Sequence, residues 1–260
     1  MEVVIVAGPD AAGELVGGAV AALVSRKPGA VLGLATGTSP VAVYRNLADR
    51  HAAGGLTLAE ARAFLLDEYV GLPAGHPQSY RSFVARELEA HVDFAPGAIR
   101  GPEVHADDLL AACDAYEAAI RDAGGVDLQL LGIGTDGHIG FNEPGSSLAS
   151  RTRIKTLTQR TRQDNARFFA SLDAVPRHVV TQGVGTILEA RHLMLLAFGS
   201  AKADAVAAAV EGPVTAMVPA SALQLHPHAT VAVDEAAAAR LQLADYYRET
   251  WAHKPPWQGL

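Results

Sequence analysis

The chain has 260 residues, of which 49% are hydrophobic, 28 acidic and 21 basic, so its net charge at neutral pH is -7. This composition predicts a large core and disfavours a partner with a phosphate backbone, because proteins that bind one are usually basic. The single Cys113 excludes an intrachain disulfide and a cysteine-based zinc site. The sequence shows neither a signal peptide nor an apolar run near the roughly 20 residues of a membrane span, so we expect a cytoplasmic protein.

Short apolar runs alternate with Ala-rich helical patterns along the whole chain. Such alternation is typical of a mostly parallel sheet with helices on both faces. We therefore predict one α/β domain, Rossmann-like, over residues 1–260. The predicted strands are Val3–Ala7, Val31–Ala35, Ala63–Leu66, Val126–Ile133, His192–Phe198 and Ala229–Val233. The predicted helices are Ala11–Ser25, Pro40–His51, Tyr80–His91, Asp107–Ala123, Ala201–Val210 and Asp234–Tyr247.

The second strand leads directly into a segment with three hydroxyl side chains, Thr36, Thr38 and Ser39. Pro40 follows at a position that often begins a helix, and the free backbone N–H groups of a helix start bind anions. The segment matches neither the Rossmann dinucleotide fingerprint nor the P-loop. It predicts an anion site, and a plain helix N-cap is the alternative.

Two adjacent acids, Asp67 and Glu68, follow directly on the third apolar strand. Neighbouring side chains at a strand end point to opposite faces, so we expect one of the two to face the crevice outside the sheet. A solvated loop acid is the alternative interpretation.

The fourth strand leads into the most informative segment of the chain. It ends among glycines, and Asp136, His138 and Glu143 follow within eight positions. Catalytic loops at the carboxyl ends of parallel strands have this composition. The alternation of imidazole and carboxylate predicts a proton-transfer site in which acids orient the histidine. Each residue taken alone is an ordinary turn residue, but the block as a whole favours a catalytic loop.

Basic residues follow this loop in an otherwise acidic protein. A solvated face usually explains such a run, which here includes Arg153, Lys155 and Arg167. Beside an anion site, however, an arginine could bind the anion through two hydrogen bonds, and Lys202 follows the fifth strand at the same expected edge. His226 and His228 flank a proline and are interpreted as turn residues, so we predict no metal site.

Taken together, these motifs closely resemble the glucosamine-6-phosphate deaminase family. The 6-phosphogluconolactonases resemble it on the same kind of fold but typically lack Phe-Asn-Glu-Pro, so Phe141–Pro144 favours the deaminases. The matching segments are Leu34–Pro40, Leu66–Leu72, Gly132–Gly145, Ser150–Thr156, Arg167–Phe169, Gly183–Gly185 and Leu223–Pro227.

The resemblance implies a hydrolase that converts D-glucosamine 6-phosphate and water into D-fructose 6-phosphate and ammonia without a cofactor or metal. Asp67 would be the base that moves a proton from C2 to C1. His138 would open the sugar ring, oriented by Asp136 and Glu143. The residues implied for the substrate phosphate are Thr36, Gly37, Thr38, Ser39, Arg167 and Lys202.

The resemblance also implies a homo-oligomer, with a hexamer favoured, and activation by N-acetylglucosamine 6-phosphate between subunits. The matching allosteric positions are Ser146, Arg153, Lys155 and Tyr246, and a mobile lid is expected around residues 153–185. Thr38 stands where the family often has glycine, and residues 214–221 lack a His and a Trp that many members carry. A lactonase and a sugar-phosphate sensor without turnover are the alternatives.

Overall fold

A computed structural model describes the backbone of residues 1–260 and all side chains other than that of Pro256. Apolar β-branched and leucine runs form buried strands, as their composition predicts. The strands are β1 (Glu2–Val6), β2 (Val31–Leu34), β3 (Arg62–Leu65), β4 (Asp67–Val70), β5 (Ile99–Arg100), β6 (Leu128–Gly132), β7 (Arg153–Thr156), β8 (His178–Thr181), β9 (Leu193–Ala197) and β10 (Ala229–Asp234).

Helices fill most of the connections between these strands. Short 3-10 turns occur as well, including Ala166–Phe168 and Ser200–Lys202. The α-helices are α1 (Pro9–Arg26), α2 (Val41–Ala52), α3 (Tyr80–Glu87), α4 (Leu109–Asp122), α5 (Gln159–Asn165), α6 (Val184–Leu188), α7 (Ala203–Val210), α8 (Glu235–Ala238) and α9 (Ala244–Ala252). In the part of the chain that the structure describes, no helix is long and apolar enough to cross a membrane.

Seven strands form one parallel sheet in the order β1-β10-β9-β6-β2-β3-β5. The chain runs outward from β2 through β3 on one side and from β6 through β9 on the other. The neighbours β2 and β6 therefore form the switch point of the topology. In open α/β sheets, ligands bind in the crevice outside the carboxyl ends of such a pair. The fold thus directs attention to the loops that follow β2 and β6.

The single Rossmann-like α/β domain predicted from the sequence is confirmed, and each predicted strand corresponds to a strand of the large sheet. The predicted helix Asp234–Tyr247 is wrong in its extent. Its residues divide between α8, which packs on β10, and α9, which packs on β1. The chain between these two short helices is turn and coil, so the Ala-rich composition of the segment does not hold it in one helix.

A second sheet of three antiparallel strands, β4-β8-β7, was not predicted. It begins immediately after the large sheet, because β3 ends at Leu65 and β4 starts at Asp67. The backbone N–H of Gln182 at the end of β8 donates to the carbonyl of Leu66 at 2.8 Å, which joins the two sheets. Asp67 therefore lies at the junction of the two sheets, as the first residue of the small sheet.

Candidate active site

A cavity of about 570 Å³ opens at the carboxyl ends of β2 and β6, at the switch point. It is lined by the loops after these strands, by the start of β4, by the segment around Arg167 and by the 3-10 turn that contains Lys202. The residues predicted for the phosphate site all line it, together with Asp67 and His138. The lining residues used below are Thr36, Gly37, Thr38, Ser39, Asp67, Tyr69, Tyr80, His138, Gly140, Phe141, Asp164, Arg167, Phe169 and Lys202.

The anion loop lies between β2 and α2. The helix begins at Val41, one residue later than the sequence predicts, and Pro40 is its N-cap residue. The carbonyl of Pro40 accepts the first helical hydrogen bond from Tyr44 at 3.0 Å. The first N–H groups of a helix have no partner within it and favour a bound anion. The side chain of Thr38 is exposed at this loop.

Asp67 is the first residue of β4 and is 5% exposed. Burial raises the pKa of its carboxyl well above the usual range, and the neighbouring carboxylate of Glu68 raises it further. Within the described part of the chain, no cation or hydrogen-bond donor contacts the Asp67 carboxylate to offset this burial. A carboxylate with a raised pKa is a stronger base than one in water, as proton abstraction from carbon requires.

As predicted, one of the two adjacent acids faces the crevice. Asp67 lines the cavity, whereas Glu68 turns away and accepts hydrogen bonds from the backbone N–H groups of Tyr69, Tyr80 and Arg81 at 2.8, 2.9 and 2.8 Å. Two of those groups belong to the first turn of α3. Glu68 therefore fixes the start of the helix that forms one wall of the cavity.

His138 lies in the loop after β6, and its imidazole Nδ1 is 2.7 Å from Oδ1 of Asp136. The same carboxylate oxygen accepts the backbone N–H of His138 at 3.2 Å. The hydrogen bond to His138 lowers the pKa of Asp136 to about 2, so Asp136 is ionised at neutral pH. The ring packs against Gly134, where a Cβ atom would lie 2.2 Å from Cε1 of His138. Glycine at position 134 is thus required for this orientation of the imidazole.

Glu143 was predicted to orient His138 together with Asp136, and the structure assigns it different contacts. Its carboxylate accepts hydrogen bonds from the hydroxyls of Thr158 and Thr161 at 3.2 and 2.5 Å. Glu143 is buried behind the loop, and among the described side chains it meets these threonines rather than His138. Thr158 is the N-cap of α5, so Glu143 ties the catalytic loop to the helix that precedes Arg167. Both the loop after β6 and the segment that contains α5 and Arg167 line the cavity.

The predicted phosphate cations come from two different elements. Arg167 lies in the 3-10 turn after α5, with its guanidinium 4.8 Å from the ring centre of Phe168. Lys202 donates from Nζ to the carbonyl of Ile133 at 2.6 Å, at the end of β6. Burial lowers the pKa of Lys202, and the charge of Asp164 partly opposes that effect. A dianionic phosphate in this cavity would therefore meet a poorly solvated cation in Lys202, which strengthens the attraction, whereas Arg167 is exposed.

The predicted allosteric residues do not form one group within the chain. Ser146 is buried, and Arg153 in β7 donates to Oδ1 of Asn142 at 2.8 Å. Lys155 lies in the same strand, two residues further on. Tyr246 is 58% exposed on α9, which packs against the edge strand β1 of the large sheet. A site that uses all four residues would need a second subunit.

Several residues of the cavity were not predicted as site residues. Tyr69, Tyr80, Phe141 and Phe169 form an aromatic wall, in which the hydroxyl of Tyr80 donates to that of Tyr69 at 3.2 Å. Burial raises the pKa of Tyr69 to about 12, so its hydroxyl is protonated at neutral pH. Tyr69 belongs to β4, which is short and begins with two acids, so its sequence does not predict a strand.

The segment expected to act as a lid, residues 153–185, contains β7, α5 and β8. Its middle part crosses the cavity with Arg167 and Phe169, and both of its ends are anchored as strands of the small sheet. Arg162 closes the segment on itself by donating to the carbonyls of Leu172 and Val175 at 2.7 and 3.2 Å. Motion of this segment stays a prediction.

A family model described as glucosamine-6-phosphate isomerases/6-phosphogluconolactonase matches residues 8–232. Over the full length of both chains, the sequence is 65% identical to the glucosamine-6-phosphate deaminase of Mycolicibacterium smegmatis and 64% identical to that of Streptomyces coelicolor. A solved structure of a monomeric glucosamine-6-phosphate deaminase is 42% identical, with a TM-score of 0.90 over 92% of this chain and 100% of that chain. The 6-phosphogluconolactonase from Trypanosoma brucei is 19% identical, with a TM-score of 0.70 over 92% of this chain and 98% of the other, which shows the fold alone.

Proposed function

The chain belongs to the glucosamine-6-phosphate isomerase/6-phosphogluconolactonase family, and we propose that it is a glucosamine-6-phosphate deaminase. The reaction takes D-glucosamine 6-phosphate and water to D-fructose 6-phosphate and ammonia, as a hydrolase in cytoplasmic amino-sugar catabolism. The identity of 65% over the full chain to a relative of that name supports the reaction. The observation that carries the proposal is one cavity that contains a buried base, an oriented histidine and two cations.

The first step is ring opening at His138. The imidazole takes the proton of the C1 hydroxyl and returns one to the ring oxygen, which leaves an aldehyde at C1. An imidazole has one nitrogen that can accept a proton and one that can donate, so it is suited to both transfers. Asp136, ionised at neutral pH, stabilises the imidazolium that exists between the two proton transfers and holds the orientation of the imidazole. Glu143, through Thr158 and Thr161, supports the loop that carries both residues.

The second step moves a proton between adjacent carbons. Asp67 removes the proton from C2, which gives an enolamine, and delivers it to C1. The C1 oxygen gains a proton and the amino group loses one, so that a hydroxyl stands at C1 and an imine at C2. Water then hydrolyses the imine to a ketone and releases ammonia. A single carboxylate over both carbons can make both transfers. Its burial supports this role because it raises the pKa of Asp67 and hence its strength as a base. Thr36, Gly37, Thr38, Ser39, Arg167 and Lys202 would hold the phosphate at the other end of the cavity.

The test is ammonia release from D-glucosamine 6-phosphate, coupled to detection of fructose 6-phosphate. We expect both products in equal amounts from the wild type and neither from the Asp67→Asn variant. The same preparation is offered 6-phosphogluconolactone. Acid release from the lactone without ammonia from the amino sugar would replace the proposal with a lactonase. Binding of glucosamine 6-phosphate without any product would instead identify a sensor.

Regulation is the finer part of the proposal. N-acetylglucosamine 6-phosphate would activate a homo-oligomer, with a hexamer favoured, through Ser146, Arg153 and Lys155 of one subunit and Tyr246. Its measurement is the substrate dependence of ammonia release with and without the acetylated sugar, beside the solution mass from light scattering. Sigmoidal kinetics that the acetylated sugar makes hyperbolic, in an oligomer, are the expected result. A monomer with hyperbolic kinetics in both conditions would contradict it.

A further inference from the structure

We propose that Thr181, at the end of β8, is a positioning residue that sets the distance between Asp67 and the loop that carries His138. The inference rests on the proposed function, in which His138 acts at C1 and Asp67 at C2 of one sugar. Asp67 belongs to β4 of the small sheet, whereas His138 lies in the loop after β6 of the large sheet. A contact that joins the two is therefore needed to hold them at a fixed separation.

The register of the small sheet puts Thr181 beside the predicted base. Thr181 is the partner of Asp67 in the β4–β8 pair and of Arg153 in the β7–β8 pair. Residues directly opposite each other in antiparallel strands have side chains on the same face. Asp67, Thr181 and Arg153 therefore form a row across one face of the sheet, with Thr181 in the middle and fully buried.

The hydroxyl of Thr181 joins this row to the catalytic loop. Its Oγ1 accepts the backbone N–H of Phe141 at 3.1 Å and donates to the carbonyl of Gln182 at 3.3 Å. Phe141 comes three residues after His138 in the same loop. Since both groups are buried, removal of the hydroxyl would leave the Phe141 N–H without a partner and away from water, which disfavours the present position of the loop.

The loop passes very close to both Thr181 and Asp67. Gly140 has a φ of 55°, and a Cβ atom there would lie 2.9 Å from Oγ1 of Thr181 and 3.6 Å from Oδ2 of Asp67. The absence of a side chain at position 140 permits this approach. The backbone next to His138 is thus packed directly against the hydroxyl and the carboxylate.

A second pair of contacts is made by the residues that follow Phe141 and Thr181 in the chain, Asn142 and Gln182. Asn142 donates from Nδ2 to the carbonyl of Gln182 at 2.8 Å, and its Oδ1 accepts from Arg153 at 2.8 Å. Consecutive loop residues, Phe141 and Asn142, are therefore held by Thr181, the last residue of β8, and by Gln182, which follows it. Of these contacts, the one from Thr181 is nearest to Asp67.

This arrangement predicts a selective effect on turnover. The residues proposed for the phosphate lie on the loop after β2, in the turn at Arg167 and in the turn at Lys202. The hydroxyl of Thr181 contacts Phe141, which belongs to none of these segments. Loss of the hydroxyl should shift His138 relative to Asp67 and leave the phosphate site unchanged. A misplacement of about 1 Å can reduce turnover on the order of a hundredfold. The Michaelis constant, which reflects phosphate binding here, should change little.

The experiment compares Thr181→Val, Thr181→Ser and Thr230→Val by ammonia release, with turnover expressed per folded molecule. Valine keeps the shape of threonine and removes the acceptor, whereas serine keeps the acceptor. Thr230→Val is the matched control, since Thr230 is a buried strand threonine whose hydroxyl lies 2.9 Å from Nε2 of His192 at the other end of the sheet. We expect Thr181→Val to lower kcat roughly 10- to 100-fold with KM within about twofold. Thr181→Ser and Thr230→Val should retain most of the activity.

Two results would overturn the inference: a kcat of Thr181→Val within twofold of the wild type, or a Thr181→Ser variant as slow as Thr181→Val. If the valine variant does not fold, Thr181→Ala, which also lacks the acceptor but adds no bulk, takes its place with the same expected values. Hydrogen exchange at the Phe141 amide should be faster in either variant than in Thr181→Ser. Failure of the proposed function would instead show as no ammonia from the wild type, with the exchange result unaffected.

Discussion

Two buried aspartates on opposite ends of the large sheet have opposite surroundings. Asp127, just before β6, accepts hydrogen bonds from Lys27 at 2.8 Å, Arg191 at 3.1 Å and the backbone of Val31 at 2.8 Å. Asp67, at the carboxyl end, is equally buried beside the like charge of Glu68. The first carboxylate is compensated and stabilises the fold, whereas the second has no compensating partner among the described side chains and lines the cavity. A histidine pair, His192 and His138, and an arginine pair, Arg191 and Arg167, can likewise be compared, since one member of each lies away from the cavity and the other lines it.

The largest expected effect is loss of turnover when the uncompensated carboxylate is removed. Asp67→Asn should reduce kcat by roughly 10²- to 10⁴-fold or more, because the amide cannot accept the C2 proton. Phosphate-dependent binding of glucosamine 6-phosphate should persist. The paired change is Asp127→Asn, which should keep kcat per folded molecule. Ammonia release and calorimetric binding measure both, and normal turnover by Asp67→Asn would sink the base assignment.

The histidines provide the second comparison. Burial lowers the pKa of His192 to about 3, and its ring stacks on His228 at 3.6 Å, so it is neutral at physiological pH. His138 faces the ionised Asp136. His138→Gln should slow turnover of the cyclic substrate roughly 100-fold or more, because ring opening loses its acid and base. An open-chain analogue should escape part of the defect.

His192→Gln is the control for that experiment and should lose stability with little change in kcat. Stopped-flow measurement of enolamine or product formation from both substrates separates the steps. An equal loss for His138→Gln on the cyclic substrate and the open-chain analogue would mean that His138 acts after ring opening.

The two ends of the sheet also differ in how readily their roles can be predicted from sequence. The six predicted strands of the large sheet are predictable because uninterrupted apolar runs need burial on both faces. The anion loop, Asp67 and His138 follow from their positions directly after such strands, and the structure brings them into one cavity. The small sheet is not predictable in this way. Its four-residue strands carry charged ends, such as Asp67 and Arg153, that resemble loop and surface residues.

The contacts of buried polar side chains required the three-dimensional structure. Glu143 follows His138 in sequence, but its carboxylate contacts Thr158, in the β7–α5 connection, and Thr161 instead. Thr181 lies 114 residues from Asp67, and strand register alone makes them partners. Sequence spacing predicts which residues share a loop, whereas pairing between distant strands decides which side chains touch.

The arginines provide a third, smaller contrast. Arg191 is bound to Asp127 and to the carbonyl of Gly124, whereas Arg167 lies over Phe168 at the cavity. Arg167→Ala should raise KM for glucosamine 6-phosphate roughly tenfold or more, because a hydrogen bond to a charged group contributes about 1.5 to 3 kcal/mol. Arg191→Ala should leave KM unchanged and lower the melting temperature. Steady-state kinetics and thermal unfolding measure both, and an unchanged KM in Arg167→Ala would count against its phosphate contact.

The smallest expected effect is on stability, and it depends on pH. Burial raises the pKa of Asp67, so the folded state binds a proton more tightly than the unfolded chain, whose value is about 3.9. The free energy of unfolding of the wild type therefore falls as pH rises from about 4 through the raised folded pKa. Asp67→Asn lacks this titration and should be more stable than the wild type at pH 7, with the difference shrinking as pH approaches 4.

Urea unfolding of the two proteins at pH 4.5, 6 and 7.5 measures this difference. Asp127→Asn is the matched control and should be less stable than the wild type at pH 7.5, since it weakens three compensating contacts. If Asp67→Asn were also the less stable protein at pH 7.5, both aspartates would be stabilising, and Asp67 would have a partner that compensates its charge. An inactive but more stable Asp67→Asn would instead mean that the enzyme keeps a destabilising carboxylate for its chemistry.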